Sequence, residues 1–336
     1  MAHPEPSSIA RPDARRISIF NHKGGVGKTI LTFNAASAIA RLGKRVLLVD
    51  SDPQCNLTAY LIEGSVVDDL LDRSDGPTGS TIWSAVKPIC DGTGDVRYVS
   101  PIELAQKNLF LLPGDIRLSD FEAELTNFWA ECFQRKARGF NATTALSRLV
   151  SNVCVREKID FVLYDSGPNI GPLNRAILLD CHFFLIPVAC DLFSVRALKT
   201  LGRTLATWIR EWETICELAP AEMYLLPGHP QFLGYVPQAF STYRGQVASQ
   251  NSKYLSMIEA AMHTDIVGVL KEVQEIRPTS GSFQIGSVKD FGSLVIASQR
   301  EGKPIDSVVS GGTPDQRAQA RIVFDEIAKN IVARSA

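Results

Sequence analysis

The sequence lacks a long hydrophobic run and an excess of charge of one sign. Its longest apolar stretch, residues 176–190, is interrupted by Asp180 and His182, so nothing in it is long enough to cross a bilayer. The chain has 35 Lys and Arg against 36 Asp and Glu, a formal net charge of -1. No overall positive field therefore favours nucleic acid as a partner, and any DNA contact must come from a local basic patch.

Paired cysteines and clustered histidines are also missing. The seven cysteines contain no C-x-x-C pair and their number is odd, which favours reduced thiols in the cytosol over a disulfide framework or a zinc site. The five histidines show no ligand spacing, so no metal site beyond one for Mg²⁺ is expected. Residues 1–14 are rich in proline, have no apolar signal segment and are predicted to be a disordered tail.

A glycine-rich loop is the most informative stretch that is present. The strand-like Ile17–Phe20 precedes Asn21–Thr29, and a helical pattern follows to Leu42. Glycines let the backbone approach phosphates closely, and N–H groups at a helix start attract anions. Lys28 is predicted to reach the β- and γ-phosphates, and the Thr29 hydroxyl is predicted to ligate Mg²⁺. The common G-x-x-x-x-G-K-[ST] pattern fails at His22, and the variant K-G-G-x-G-K-[ST] fits instead.

Two further apolar runs end in aspartates. Arg45–Val49 is typical of a buried parallel strand and leads into Asp50 and Asp52, and a second run leads into Asp165. Ligands of open α/β sheets bind at the carboxyl ends of strands. These carboxylates are therefore expected close to the loop, with Asp165 holding Mg²⁺ through water.

Together the loop, the D-x-D-P-Q segment at Asp50 and the strand ending at Asp165 resemble the deviant Walker A ATPases, which include the ParA-type and MinD-type positioning proteins. The likeness covers residues 15–333 and departs from the family at Ile30, at Cys55 (a glycine in the family) and at Ser166–Gly167. It implies an α/β fold: a three-layer P-loop NTPase with a mostly parallel sheet and helices on both faces. Residues 15–336 are expected to form this one domain, with an elaboration at about 63–107.

The resemblance also implies the site residues. Asp52 would orient the attacking water, Asp50 would support the Mg²⁺ shell, and Lys23 would reach across a dimer interface to the partner's nucleotide. Gln238 stands where the family has an adenine-contacting residue. The residues implied to bind ATP in the loop are Lys23, Gly24, Gly25, Val26, Gly27, Lys28, Thr29 and Ile30.

In function, the resemblance implies a slow, Mg²⁺-dependent ATPase that forms a homodimer on ATP, binds DNA without sequence preference and positions DNA or another cargo. A ParB-like partner protein would stimulate hydrolysis, and the protein would be cytoplasmic and associated with the nucleoid. Arginine and lysine residues on the helix after Phe193 are candidates for a DNA-contacting face, although charged helix faces usually contact only solvent. They are Arg196, Lys199, Arg203 and Arg210.

Three alternatives stay open. A MinD-like membrane cycle would need a basic amphipathic segment after the last helix, and only three residues are expected there. A nitrogenase-reductase-like electron carrier would need cluster-ligating cysteines, and Cys132 and Cys154 lie in other contexts. The third is an ATP-binding regulator that does not hydrolyse ATP. The remaining structural expectations are strands at residues 222–226 and 231–237, and helices at 252–276 and 315–333.

Overall fold

A computed structural model describes residues 14–240, 242–243, 246–247, 249–276 and 282–336. Residues 1–13 of the predicted tail 1–14 lie outside these described residues. Its last residue, Ala14, is 2% exposed and lies directly before the first strand, so it belongs to the packed domain and not to a tail.

Most of the strands form one sheet of eight, in the order β10-β7-β6-β1-β5-β2-β4-β3. All neighbours in it run parallel except the β3–β4 pair at one edge. Two short strands, β8 and β9, pair separately and antiparallel. The strands in the described residues are β1 Arg15–Ile19, β2 Val46–Asp50, β3 Ile102–Glu103, β4 Leu109–Leu112, β5 Phe161–Asp165, β6 Phe183–Ala189, β7 Gln231–Phe240, β8 Thr242–Tyr243, β9 Gln246–Val247 and β10 Val288–Lys289.

Helices connect these strands, as parallel neighbours require. A π-helical turn, Met262–Gly268, follows α10, and a 3₁₀ turn, Ile305–Ser307, precedes α12. The α-helices in the described residues are α1 Lys28–Arg41, α2 Asn56–Leu61, α3 Gly64–Asp72, α4 Ile82–Cys90, α5 Leu118–Phe133, α6 Ala137–Thr143, α7 Ala145–Glu157, α8 Pro172–Asp180, α9 Leu192–Leu218, α10 Ser249–Ala261, α11 Ser293–Glu301 and α12 Pro314–Arg334.

The sheet lies between two helical layers, and the alternation of side chains along its strands explains why. In β2, Leu48 faces a core with α1, α11 and α12, whereas its neighbour Leu47 faces a core with α4, α5, α7 and α8. Successive strand residues point to opposite faces, so a run that is apolar at every position needs cover on both. A third cluster, centred on α9 residues such as Leu201 and Trp212, extends the second layer. The predicted three-layer α/β fold is confirmed.

One predicted strand is wrong. Residues 222–226 lie in a turn and irregular backbone before β7, and do not pair in the sheet. Leu226 is buried, and its carbonyl accepts a hydrogen bond from the Trp212 indole at 3.2 Å. The apolar residues here cover α9 instead of pairing in the sheet.

The predicted elaboration at residues 63–107 is exposed in one part and packed into the core in another. In α3 no residue is buried, as expected for an exposed elaboration. In α4, by contrast, Ile82, Trp83 and Val86 are buried against the sheet, and a capping box of Thr81 and Ser84 starts the helix. The predicted helix at 252–276 is interrupted by the π-helical turn and ends in turns after residue 270.

Candidate active site

The site lies where three neighbouring parallel strands end. The register pairs Ile19 of β1 with Asp165 of β5, and Asp50 of β2 with the same Asp165. The Ser51 N–H and hydroxyl both bond to the Asp165 carbonyl, at 3.0 and 2.7 Å. The glycine-rich loop after β1 therefore shares one sheet edge with both aspartate-bearing strand ends, as the sequence predicted.

The loop leads into a helix whose first turn has no side-chain cap. Gly27 occupies the N-cap position of α1 with φ 77°, in the left-handed region where glycine is favoured, and makes no side-chain cap bond. No acidic residue stands in the first turn of α1. The N–H groups that a helix start leaves unpaired, and the positive end of its dipole, are thus available to an anion.

Lys28, the first residue of α1, carries a buried ammonium next to the glycine-rich loop. Lys28 is 7% exposed, and its Nζ donates to the Lys23 carbonyl at 3.3 Å. Burial lowers the pKa of Lys28, opposed by the charges of Asp165 and Asp52. No ion pair of Lys28 occurs within the described ranges, so this cation faces the site without a direct counter-charge.

The Thr29 hydroxyl contacts the aspartate that was predicted to serve the metal. Thr29 Oγ1 donates to Asp165 Oδ2 at 2.7 Å, joining the start of α1 to the end of β5. Thr32, one turn later, lies 3.4 Å from the other oxygen of Asp165 and bonds the Lys28 carbonyl. Sequence reasoning missed Thr32, and its i,i+3 spacing from Thr29 was the only signal for it.

Three carboxylates converge here. Asp50 and Asp165 are fully buried and Asp52 is 6% exposed. Burial, together with the charges of the neighbouring aspartates, raises the pKa of Asp50 to about 7 and that of Asp165 to about 8. Asp50 Oδ2 accepts from the Thr58 N–H and hydroxyl at 2.7 and 2.6 Å, but Asp50 Oδ1 is buried with no hydrogen-bond partner.

This donor set fits a divalent cation. An orphaned carboxylate oxygen and mutually repelling carboxylates are compensated by positive charge, and Mg²⁺ commonly takes one or two carboxylates together with phosphate and water. Within the described part of the chain, no group of three or more His, Cys, Asp or Glu is arranged to hold a metal by itself.

Cys55 occupies a backbone position that suits glycine. It is the N-cap of α2 with φ 53°, in the left-handed region, and follows the Asp52 turn. This strain explains why the resembling family has glycine there. Sequence alone identified the departure but not its geometry.

We expect Cys55→Gly to unfold at a higher temperature than Cys55→Ala, because both lose the thiol and only glycine relieves the strain. The difference should be about 1 kcal/mol in the free energy of unfolding. Cys216, inside α9, is the matched control, because there alanine should be the more stable variant by about 0.5–1 kcal/mol. Thermal denaturation of the four variants checks this, and the same order at both positions would contradict it.

An apolar cavity of about 290 Å³ lies beside the glycine-rich loop. Its lining is mostly apolar and includes Ile30, Phe291 and Val295. Gln238, at its edge, is 4% exposed, and its Nε2 has no hydrogen-bond partner. Its Oε1 lies 2.7 Å from the point where a Cβ on Gly27 would stand, so Gln238 packs directly on the loop. The contribution of Phe291 and α11 to this cavity was not predicted.

The phosphate side of the loop opens into a cavity of about 350 Å³. It is lined by the loop, by Asp52 and by Gln54, and Gln299 of α11 closes it. Asp52 Oδ1 accepts the Gln54 N–H at 2.9 Å, which orients the carboxylate at the cavity wall. The two cavities share Gly25, Val26, Gly27 and Ile30 as lining residues, so they flank the same loop.

Lys23 is engaged within its own chain. Its Nζ lies 2.5 Å from Asp191 Oδ2 and 2.9 Å from Ser194 Oγ, at the start of α9. The sequence predicted a contact to another subunit for this lysine, and the structure adds an intrachain contact that sequence reasoning missed.

The basic residues predicted on α9 lie on its exposed side. Arg196, Lys199 and Arg203 are exposed along a shallow groove that Thr200 and Thr207 also line. Their i,i+3 and i,i+4 spacing places them on one helix face. Arg210 lies further along and pairs with Glu272 at 3.5 Å.

In the described ranges, no helix is long and apolar enough to cross a membrane.

The sequence of this chain is similar to a protein-family model and to several known proteins. A family model described as an AAA domain matches residues 14–217. The sporulation initiation inhibitor protein Soj of Bacillus subtilis is 31% identical over 194 residues, 56% of this chain and 63% of that protein. The chromosome-partitioning ATPase Soj of Thermus thermophilus is 31% identical over 197 residues, 59% of this chain and 64% of that protein. The match thus spans just under two thirds of each relative's length.

Solved structures share the fold. Protein DIP2308 from Corynebacterium diphtheriae superimposes with a TM-score of 0.68 at 24% identity, over 95% of this chain and 98% of that one. An ATP complex of a Cyanothece McdA variant gives a TM-score of 0.62 at 17% identity, over 96% and 97% of the two chains. At these identities the likeness concerns the fold alone.

Proposed function

This chain belongs to the ParA/MinD-type P-loop ATPases, and from that premise we propose that it hydrolyses ATP slowly as a nucleotide-dependent dimer that associates with DNA. The observation that carries the proposal is the pairing of Thr29 with Asp165 at the uncapped start of α1, with the Lys28 ammonium behind the same loop. This arrangement supports an anion site surrounded by N–H donors, a cation and two candidate ligands for a metal ion.

Nucleotide binding follows from the two cavities. The triphosphate would lie on the loop residues Lys23–Ile30, where backbone N–H groups and the Lys28 ammonium neutralise charge. The adenine would occupy the apolar cavity, where the unpaired Gln238 amide is available to a base edge. Thr29, Asp50 and Asp165 would hold Mg²⁺, which when bound neutralises phosphate charge.

Hydrolysis requires a positioned water, and Asp52 is the residue we assign to it. Its carboxylate lines the phosphate cavity, and the Gln54 N–H fixes its orientation. Asp52 would accept a hydrogen bond from the water that attacks the γ-phosphoryl group, while Lys28 and the loop N–H groups stabilise charge on that group. Lys23 of a second subunit would add positive charge in the dimer, as an arginine finger does. Dependence on a second subunit makes basal turnover slow.

DNA association would use the basic face of α9. The net charge of -1 gives no general attraction to DNA, so the clustered Arg196, Lys199 and Arg203 must supply the contacts. A dimer presents two such faces and should bind much more tightly than a monomer.

We expect the ATP-bound dimer to retain DNA of any sequence, with an affinity that falls steeply as salt rises. The slope of log K against log salt should be about -0.9 per neutralised phosphate, because each contact releases counterions. Changing Arg196, Lys199 and Arg203 to glutamine should weaken all sequences equally and flatten the slope. Fluorescence anisotropy with two unrelated duplexes at several salt concentrations measures both effects.

The matched control changes three exposed lysines outside α9, Lys107, Lys271 and Lys329, to glutamine, and should leave DNA affinity nearly unchanged. If the dimer forms but no DNA is retained even at about 50 mM salt, where electrostatic binding is strong, the DNA role is wrong. Vesicles of anionic lipid in the same assay test the MinD-like alternative.

Cargo and partner complete the proposal. The relatives' names refer to sporulation control and chromosome partitioning, and we propose a related task here: moving or positioning DNA or another cargo on the nucleoid. A ParB-like partner would accelerate hydrolysis and so release the dimer from DNA. Phosphate release measured with and without DNA separates this slow ATPase from a regulator that binds ATP without hydrolysing it.

A further inference from the structure

Lys23, Asp191 and Ser194 form a closed set of contacts that joins the loop to α9. We call this set the Lys23 latch. The ammonium lies 2.5 Å from Asp191 Oδ2 and 2.9 Å from Ser194 Oγ, and the Ser194 hydroxyl lies 3.2 Å from the same Asp191 oxygen. Asp191 Oδ1 accepts the Ser194 N–H at 2.8 Å and so caps α9.

The latch competes with the role proposed for Lys23 in the dimer. An ammonium held by its own subunit's α9 must leave those acceptors before it can contact phosphates bound to another subunit. Lys23 and Asp191 are 28% and 40% exposed, so the contact lies at the surface, where a second subunit can reach it. Hydrogen bonds from Lys23 and Ser194 lower the pKa of Asp191 despite the opposing effect of its partial burial.

We infer that Asp191 is a positioning residue that holds Lys23 within the free subunit and releases it when two ATP-bound subunits meet. This inference rests on the proposed nucleotide-dependent dimer. It assigns to Asp191 a role in setting the concentration at which that dimer forms.

The two contacts of Asp191 are separable. Its Oδ1 caps the helix and its Oδ2 holds the ammonium, so Lys23 can leave without loss of the cap. Asparagine caps helices about as well as aspartate. Asp191→Asn therefore weakens the contact to Lys23 while it keeps α9 intact, and Asp191→Glu keeps a carboxylate within reach of the ammonium.

The size of the effect follows from exposure. A solvent-exposed ion pair shifts an equilibrium by about two- to fivefold. Each dimer opens two latches, so the effects multiply. Asp191→Asn should tighten the dimerisation constant by about 4- to 25-fold, a range that follows by squaring the single-pair value. The latch is thus weak enough for ATP binding to overcome.

Two measurements on the full chain test the latch. The first is sedimentation with a non-hydrolysable ATP analogue and Mg²⁺, which gives the dimerisation constant. The second is the rate at which Lys23 of the nucleotide-free protein is acetylated by a water-soluble ester, followed by mass spectrometry. Asp69→Asn is the matched control, because Asp69 also forms an exposed ion pair, with Arg73, and lies in α3 and not in the loop or α9.

We expect Asp191→Asn to dimerise at lower concentration and to acetylate faster at Lys23 than the wild type, with unchanged labelling of Lys44. Asp191→Glu should resemble the wild type, and Asp69→Asn should change neither quantity. Equal dimerisation and equal Lys23 labelling in Asp191→Asn and wild type would overturn the latch. If the wild type fails to dimerise at all, the proposed function fails, and the labelling rates still decide whether Asp191 holds Lys23.

Discussion

Lys28→Ala should abolish measurable ATP binding in isothermal titration calorimetry. The Lys28 ammonium is 7% exposed and is the only lysine side chain placed behind the loop within the described ranges. In the complex this ammonium would pair with the ATP phosphates. Removing one partner of such a buried charge pair weakens binding by about 30-fold to several thousand-fold. The other lysine of the loop, Lys23, is held by Asp191 and so does not replace that charge in the free subunit.

The fold should survive this change, which makes the result interpretable. A buried ammonium without a direct counter-charge destabilises the free protein, so the melting temperature of Lys28→Ala should equal or exceed that of the wild type. Lys44→Ala, a lysine change outside the site, should bind ATP normally. Unchanged ATP affinity in a folded Lys28→Ala variant would rule out the loop as the phosphate site.

Asp52→Asn should slow hydrolysis by about 100- to 10,000-fold, the range expected when a group that acts on the attacking water is lost. ATP affinity and ATP-dependent dimerisation should be retained, because water positioning matters in the transition state and not in ground-state binding. The asparagine Oδ1 can still accept the Gln54 N–H that orients Asp52, so local structure should be kept.

Single-turnover phosphate release, with ATP affinity measured in parallel, separates the two effects. Asp72→Asn, at an exposed aspartate of α3, provides the control and should hydrolyse ATP as the wild type does. A normal rate in Asp52→Asn would remove this residue from the mechanism. A parallel loss of affinity would instead assign it to nucleotide binding.

Local patterns predicted the centre of the site because the chemistry there depends on short segments. The Gly27-Lys28-Thr29 sequence requires a strand before it and a helix after it, and the aspartates of β2 and β5 follow apolar runs that only a buried parallel strand explains. Once both strands are in one sheet, their carboxyl ends meet the loop. The Thr29–Asp165 bond, between residues far apart in sequence, follows from that topology.

The sequence could not predict contacts that depend on how distant segments pack. Lys23 and Asp191 follow β1 and β6, which are parallel neighbours in the sheet, and no pattern in either segment specifies that these two strands pair. The strand predicted at residues 222–226 was wrong because its apolar residues cover α9. Residues that cover a helix have the same composition as residues that pair in a sheet. The walls of the apolar cavity beside Ile30 likewise come from β7, β10 and α11, which the loop motif does not specify.

We propose that ATP, bound at this loop, controls the assembly of two subunits. Gel filtration coupled to light scattering, with Mg²⁺ and either ATP, ADP or no nucleotide, tests it most directly when Asp52→Asn is used to prevent turnover. We expect a dimer with ATP and a monomer with ADP or without nucleotide, and a monomer throughout for Lys28→Ala. The same mass in all three conditions would contradict it.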